Sequence, residues 1–270
     1  MILDGHIHMG FVDRGKGDTP KTFRRKLAAA GIDGGIVISP SPRRSQAGYR
    51  ERLRSVMRFT AGDRNLFPFF WIEPRDIDAL EQVDAAIKMG IKGFKVICNE
   101  YYPYEKRPME VWTHIAARGK PILFHSGILW DGTPSSNFNR PANWECMMNI
   151  KGIRFAMAHI SWPWCDEHIA VYGKIEAAKQ RAAKGLSEMF IDTTPGTPPI
   201  YRREALYKVF KVGYEVEKNV FFGTDHHAES FWVKGAHEKI ALDRGILTEM
   251  DVAEKVQNAY FADNLKRFVG

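Results

Sequence analysis

The sequence predicts an α/β fold in which eight strand–helix units close into a (β/α)8 barrel with parallel strands and outer helices. Three observations predict it. Short apolar runs rich in β-branched and aromatic residues alternate with amphipathic stretches eight times along the chain. The runs lack the inside-outside alternation of half-exposed strands and instead look buried on both faces, as parallel strands are. The chain has 270 residues, and a barrel of this type fills about 250. No linker or shift in composition marks a boundary, so one barrel domain over residues 1–270 is expected.

The eight runs are Ile2–His8, Gly35–Ser39 (closed by Pro40), Leu66–Ile72 (closed by Glu73-Pro74), Gly93–Cys98, Pro121–His125, Ile153–His159, Met189–Thr193 and Val220–Thr224. Among the intervening stretches Asp76–Met89 is the clearest helix. Its Ile77, Leu80, Val83 and Ile87 recur at spacings of three and four, Asp76 suits an N-cap, and Gly90 suits the helix end. Glu110–Arg118 and Glu167–Lys184 behave similarly, and Phe231–Gly270 reads as the closing helices.

Composition narrows the function classes. Hydrophobic residues make up 44% and charged residues 26%, enough for a core without a disordered tract. The net charge is +7, with Lys and Arg gathered in Lys21–Lys26 and Arg43–Arg58. Acidic residues are interspersed elsewhere and no nucleic-acid motif accompanies the charge, so these read as solvated helix faces. The expected partner is a small-molecule substrate, not nucleic acid. Cys98, Cys146 and Cys165 are odd in number and widely spaced, which predicts neither a disulfide framework nor a cysteine zinc site. No signal-like segment and no long apolar run is seen, so a cytoplasmic protein without membrane attachment is expected.

His6, His8, His125 and His159 each stand at or near the C-terminal end of a predicted strand, and Asp225 follows the eighth. That end of a barrel is where active sites are built. His6 and His8 are two apart, so on a strand both point to one side and Ile7 to the other. Two neutral imidazoles with a carboxylate suit Zn²⁺ and leave a position for water. His-x-His alone is a weak signal; three further polar residues at strand ends of one barrel give it weight. His114, His168 and His237 fall in helical stretches and are assigned no function, while His226 and His227 either contact substrate or pack.

The motifs Asp4-Gly-His6-Ile-His8, Ile122-Leu-Phe-His125-Ser-Gly127, Ala156-Met-Ala-His159 and Phe222-Gly-Thr-Asp225 occur in this order, followed by Asn258-Ala-Tyr-Phe-Ala-Asp-Asn264-Leu near the C-terminus. In these the chain resembles the amidohydrolase superfamily, specifically its amidohydrolase-2 branch, over essentially its whole length. The resemblance implies that His6, His8, His125 and Asp225 ligate one divalent metal, Zn²⁺ or alternatively Mn²⁺. It also implies that His159 is a catalytic or second-metal histidine. Such a metal brings the pKa of bound water towards neutrality, Asp225 suits the role of general base, and His159 can polarise a carbonyl or shuttle a proton. Binuclear members use a carboxylated lysine on the fourth strand. Lys95 therefore reads as such a bridge or, as favoured here, as a buried ion-pairing or substrate-facing group beside a single metal.

Two departures leave the pocket shape open: Ser161-Trp162-Pro163-Trp164 follows His159 where the branch commonly has glycines, and His226-His227 follows Asp225 where it has an aromatic and Pro. Arg43 and Arg44, after the second strand, can clamp a substrate carboxylate. Tyr102, with Tyr101 and Tyr104, and Trp130 can wall the pocket, and Asp192 can support a ligand from behind. The expected activity is hydrolysis of a lactone or amide in a small carboxylated molecule. The alternatives are non-oxidative decarboxylation of an aromatic or unsaturated acid and a phosphoesterase of the polymerase-and-histidinol-phosphatase type. That last fold closes with seven strands, whereas eight are read here. A barrel keeping the metal only for structure would not require His159 and Asp225 together. Members of the branch are often dimers or larger, so a homo-oligomer is expected.

Overall fold

The computed structural model describes residues 1–10, 17–43, 47–181 and 187–270. Its strands are β1 Leu3–His8, β2 Gly34–Ile38, β3 Leu66–Trp71, β4 Gly93–Val96, β5 Ile122–Phe124, β6 Arg154–Met157, β7 Glu188–Asp192, β8 Val220–Phe221 and β9 His226–His227. The helices are α1 Pro20–Ala29, α2 Tyr49–Thr60, α3 Ala79–Lys88, α4 Lys106–Ala116, α5 Cys165–Arg181, α6 Pro199–Lys211, α7 Val233–Glu249, α8 Glu254–Asn258 and α9 Asn264–Val269. The strands run in the order β8-β7-β6-β5-β4-β3-β2-β1-β9, all in parallel. This is the TIM-barrel arrangement that the alternation predicts.

The eighth predicted strand is broken in two. β8 pairs with β7, and β9, just beyond it, pairs with β1. Across the gap the Gly5 amide donates to the Phe222 carbonyl at 2.9 Å and the Asp225 amide to the His6 carbonyl at 3.0 Å. The first strand is thereby bonded to the last. The break falls where Asp225 adopts a left-handed backbone, φ 60°, a conformation that Asp tolerates better than most residues.

Alternate strand residues divide between two cores. Val37, Phe70, Phe94, Phe124 and Ile191 belong to the layer between sheet and helices. Ile36, Ile38, Phe69, Leu123 and Phe190 fill the barrel interior. α9 closes the floor, where the Phe268 ring meets those of Phe69, Phe190 and Phe221 at 6.1, 5.1 and 5.3 Å. On β1, Leu3 joins the interior and Ile7 the outer layer. These positions are an even number apart, so plain alternation would put them on one side. The register shifts between Asp4 and Ile7, and such an irregularity re-aims side chains. It turns His6 and His8 inward and Ile7 out.

Three expectations need correction. α3 begins at Ala79 with Asp78 in the cap position, not Asp76, and Ile77 is 97% exposed rather than on the buried face. Gln82 reaches back to donate to both Asp76 and Asp78 at 2.8 Å, fixing the helix entrance from the loop. Arg52, within the basic stretch read as solvated, is buried. It donates to the Trp71 carbonyl at 2.7 Å and lies over the Phe70 ring. The predicted end of the following long helix at Lys184 lies outside the described residues, and α5 is described from Cys165 to Arg181. No described helix is long and apolar enough to cross a membrane.

Candidate metal centre

His6 is fixed from behind. Its Nδ1 lies 2.7 Å from Asp192 Oδ2, with both side chains fully buried. A carboxylate only accepts, so the imidazole proton sits on Nδ1 and the Nε2 lone pair faces the barrel mouth. Asp192 is itself held by the Thr194 amide at 2.8 Å and by the Thr194 hydroxyl. Burial raises the Asp192 carboxyl to about 6. His6 Nε2 stands 3.2 Å from His8 Nε2. Asp225 Oδ1 lies 3.7 Å from the first and 3.3 Å from the second.

Burial pushes His6 well below its ordinary value and lowers His8, so both imidazoles are neutral. Burial works to raise Asp225, but the hydrogen bond from His8 and the neighbouring imidazoles outweigh it and keep the carboxyl well below the usual range. Two imidazole nitrogens and an ionised carboxylate thus converge, with donor atoms all within 4.8 Å of one another. Crowded lone pairs with so few protons among them fit a divalent cation, and the nitrogen–oxygen donor set suits Zn²⁺.

His125, the fourth ligand implied by resemblance, stands outside this three-donor group. It follows β5, its Nε2 lies 3.2 Å from the Ile128 carbonyl, and its ring is 4.9 Å from that of His159. His159 sits past β6 in a left-handed run: φ is 66° at His159, 46° at Ile160 and 52° at Ser161. Its Nδ1 approaches the Thr194 carbonyl at 3.3 Å, and its ring is 5.4 Å from that of His6. A Cβ added to Gly196 would come within 2.8 Å of the His159 Cβ. The close approach of the loop after β7 therefore requires a glycine there.

Lys95 points into the barrel, since its neighbours Phe94 and Val96 belong to the outer layer. It pairs with Leu123, two residues before His125. Its Nζ is buried with no hydrogen-bond partner among the described residues. Burial lowers it to about 8, against the pull of Asp192 and Asp225. Neither carboxylate is close enough to form an ion pair with it.

The centre opens into a cavity of about 510 Å³ lined by His8, Asp225 and His227, with Trp71, Leu129 and Trp130 as apolar walls. Arg43 lines it too, but its guanidinium is already bonded to Glu100 at 3.2 Å and lies 3.5 Å from Glu73. Arg44 lies outside the described residues. Trp130 is on the wall and largely exposed. Tyr102 is not on the wall; it stacks on Tyr104 at 5.0 Å and meets Phe138 edge-on.

Sequence reasoning missed Trp71, whose ring lies 5.5 Å from His8, although its place at the end of β3 was the same signal that marked the histidines. It also missed Asn99, which lines the cavity with its amide oxygen buried and unpartnered among the described residues; no pattern flagged it. The His226-His227 pair divides as strand alternation requires. His227 faces the cavity, 5.8 Å from the His8 ring, while His226 is buried against Lys239 at 2.9 Å.

The family model described as Amidohydrolase, of the amidohydrolase-2 type, matches residues 7–270. Several solved structures share the fold. An uncharacterized TIM-barrel protein from Bordetella bronchiseptica aligns with a TM-score of 0.72 at 14% identity, over 99% of this chain and 98% of that one. A 2,6-dihydroxybenzoate decarboxylase from Rhizobium gives 0.64 at 13% identity, over 99% and 97%. A dihydroorotase from Campylobacter jejuni gives 0.62 at 14% identity, over 98% and 82%. At these identities the likeness is one of fold. No curated protein matches the chain.

Proposed function

This chain belongs to the metal-dependent amidohydrolase family, and from that membership we propose that it hydrolyses a C–O or C–N bond, in a lactone or amide of a small molecule. The observation that carries the reading is the convergence of His6 Nε2, His8 Nε2 and Asp225 Oδ1 at the base of the cavity. These three side chains would hold one divalent ion, Zn²⁺ first and Mn²⁺ second, with His125 standing outside the group against the His159 ring. When bound, such an ion supplies Lewis-acid polarisation and eases ionisation of a neighbouring water.

The rest falls to the chain itself. Asp225 is ionised and faces the cavity, so it accepts the proton of the attacking water. His159 is neutral, and a proton on Nδ1 facing the Thr194 carbonyl leaves its Nε2 lone pair for the reaction. It takes up there the proton that Asp225 accepted from the water and passes it to the leaving group. Asp192 holds the His6 tautomer. Trp71, Leu129 and Trp130 cover the apolar body of the substrate and exclude water. Arg43, with its charge balanced by two glutamates, receives a substrate carboxylate only by exchanging one of those pairings.

Decarboxylation of an aromatic acid is the second reading, favoured by the indole walls of the cavity. A screen of lactones, amides and aromatic acids with metal-reconstituted protein separates the two. The proposal expects acid release from a lactone or amide without CO₂. CO₂ release from an aromatic acid, with no hydrolysis in any class, would replace it by the second reading.

A further inference from the structure

Behind the site runs a buried chain of hydrogen bonds that the reaction above does not use. His168 Nδ1, on α5, lies 2.7 Å from Ser161 Oγ. Ser161 Oγ donates to Ser126 Oγ at 2.6 Å, and Ser126 Oγ donates to the Asn139 carbonyl at 3.1 Å. Asn139 in turn donates from its side chain to the Cys98 carbonyl at 2.5 Å. His168, Ser161, Ser126 and Asn139 are all fully buried.

Counting protons gives the chain a direction. Each hydroxyl has one proton. Ser126 spends its proton on a carbonyl and Ser161 spends its own on Ser126. Ser161 Oγ can then only accept from His168, so His168 carries its proton on Nδ1. Its Nε2 is left as a buried lone pair, unpartnered among the described residues. A neutral imidazole is the form that burial enforces there.

The chain ties together the segments that aim the reactive histidines. Ser126 follows His125 directly, and Ser161 ends the left-handed run that begins at His159. Such a run is unfavourable for residues with a Cβ, and more so for the β-branched Ile160. It persists only where its surroundings hold it. The Ile128 amide donating to the Trp162 carbonyl at 3.0 Å and the Gly127 amide donating to the Asn139 carbonyl at 3.0 Å complete the stitching.

We propose that His168 is a positioning residue: through Ser161 and Ser126 it locks the turn that sets His159 beside His6 and His125. The catalytic consequence rests on His159 being the proton-handling group; the lock itself does not.

The test compares His168→Phe, which keeps the volume and removes the donor, with His168→Asn, which keeps an N–H where Nδ1 stands. Ser161→Ala removes the middle hydroxyl should the Phe variant fail to fold. Imidazole ¹⁵N spectra of the metal-free protein should show His168 neutral with its proton on Nδ1. The His159 signals should move in His168→Phe or Ser161→Ala and return in His168→Asn.

In metal-loaded enzyme, loss of the lock should lower kcat about tenfold or more with KM within about twofold, as misplacement of a reacting group does, and Asn should recover most of it. A folded Phe or Ala variant with unmoved His159 signals would overturn the lock, as would an Asn variant no better than Phe. If His159→Asn leaves kcat intact, the role of His159 fails, while the imidazole spectra still decide whether the lock exists.

Discussion

On one side of the barrel mouth His6, His8 and Asp192 stand on strands and Asp225 lies one residue before β9. On the other side His125 and His159 stand beyond the ends of β5 and β6, on turns. The strand side gathers its donors within 4.8 Å with the His6–Asp192 hydrogen bond behind them. The turn side keeps its two rings 4.9 Å apart, aimed by loops in a strained conformation. The contrast divides the labour. On the function proposed above, sheet register would hold the donors of a metal centre, and loop chemistry would present the group that moves protons.

The largest break in that division should come from Asp225→Asn, which removes the base and keeps a neutral oxygen near the centre. Turnover should fall by on the order of 10³-fold while most of the metal stays, measured by kcat together with metal content. His159→Asn should lower kcat roughly 10²-fold with metal content unchanged. A parallel loss of metal would erase the distinction between the two sides. Asp192→Asn should act in the opposite sense. Metal affinity should weaken about 10–100-fold because the His6 tautomer is no longer enforced, while kcat at saturating metal survives.

The smallest effect is on stability. Burial pushes His168 down to about 3 from an ordinary 6.5. Above pH 6.5 neither state is protonated there, so its contribution to stability is complete. As the pH falls below 6.5 only the unfolded state takes up the proton, and stability is lost progressively down to about pH 3. Asp4, raised by burial to about 7, and Asp192, raised to about 6, run the other way and recover stability on acidification. Comparison of wild type with His168→Asn in the metal-free state cancels those carboxyls. Between pH 7.5 and pH 5 the wild type should lose about 2 kcal/mol relative to the variant in denaturant titrations.

The strand side was legible because period-two alternation is a local property. The placing of His6 and His8 two apart on one strand needs no tertiary contact. What escaped there was the register shift between Asp4 and Ile7 and the break at Asp225, each fixed by bonding between the first and last strands. The turn side was legible only as far as its residue types. Nothing local foretells three consecutive left-handed residues from His159 to Ser161, or the His125 ring turning to the Ile128 carbonyl. His168 read as an ordinary helix residue because its burial depends on what α5 packs against. Arg43 stood in the right loop, yet its pairing with Glu73 and Glu100 brings together residues from three separate loops.

Metal analysis of purified protein tests the central claim most directly. Close to one equivalent of Zn²⁺ or Mn²⁺ per chain is expected, lost in His8→Ala and retained in His159→Asn. Protein prepared under metal-retaining conditions that carries none, or a His8→Ala variant that keeps its full equivalent, would contradict it.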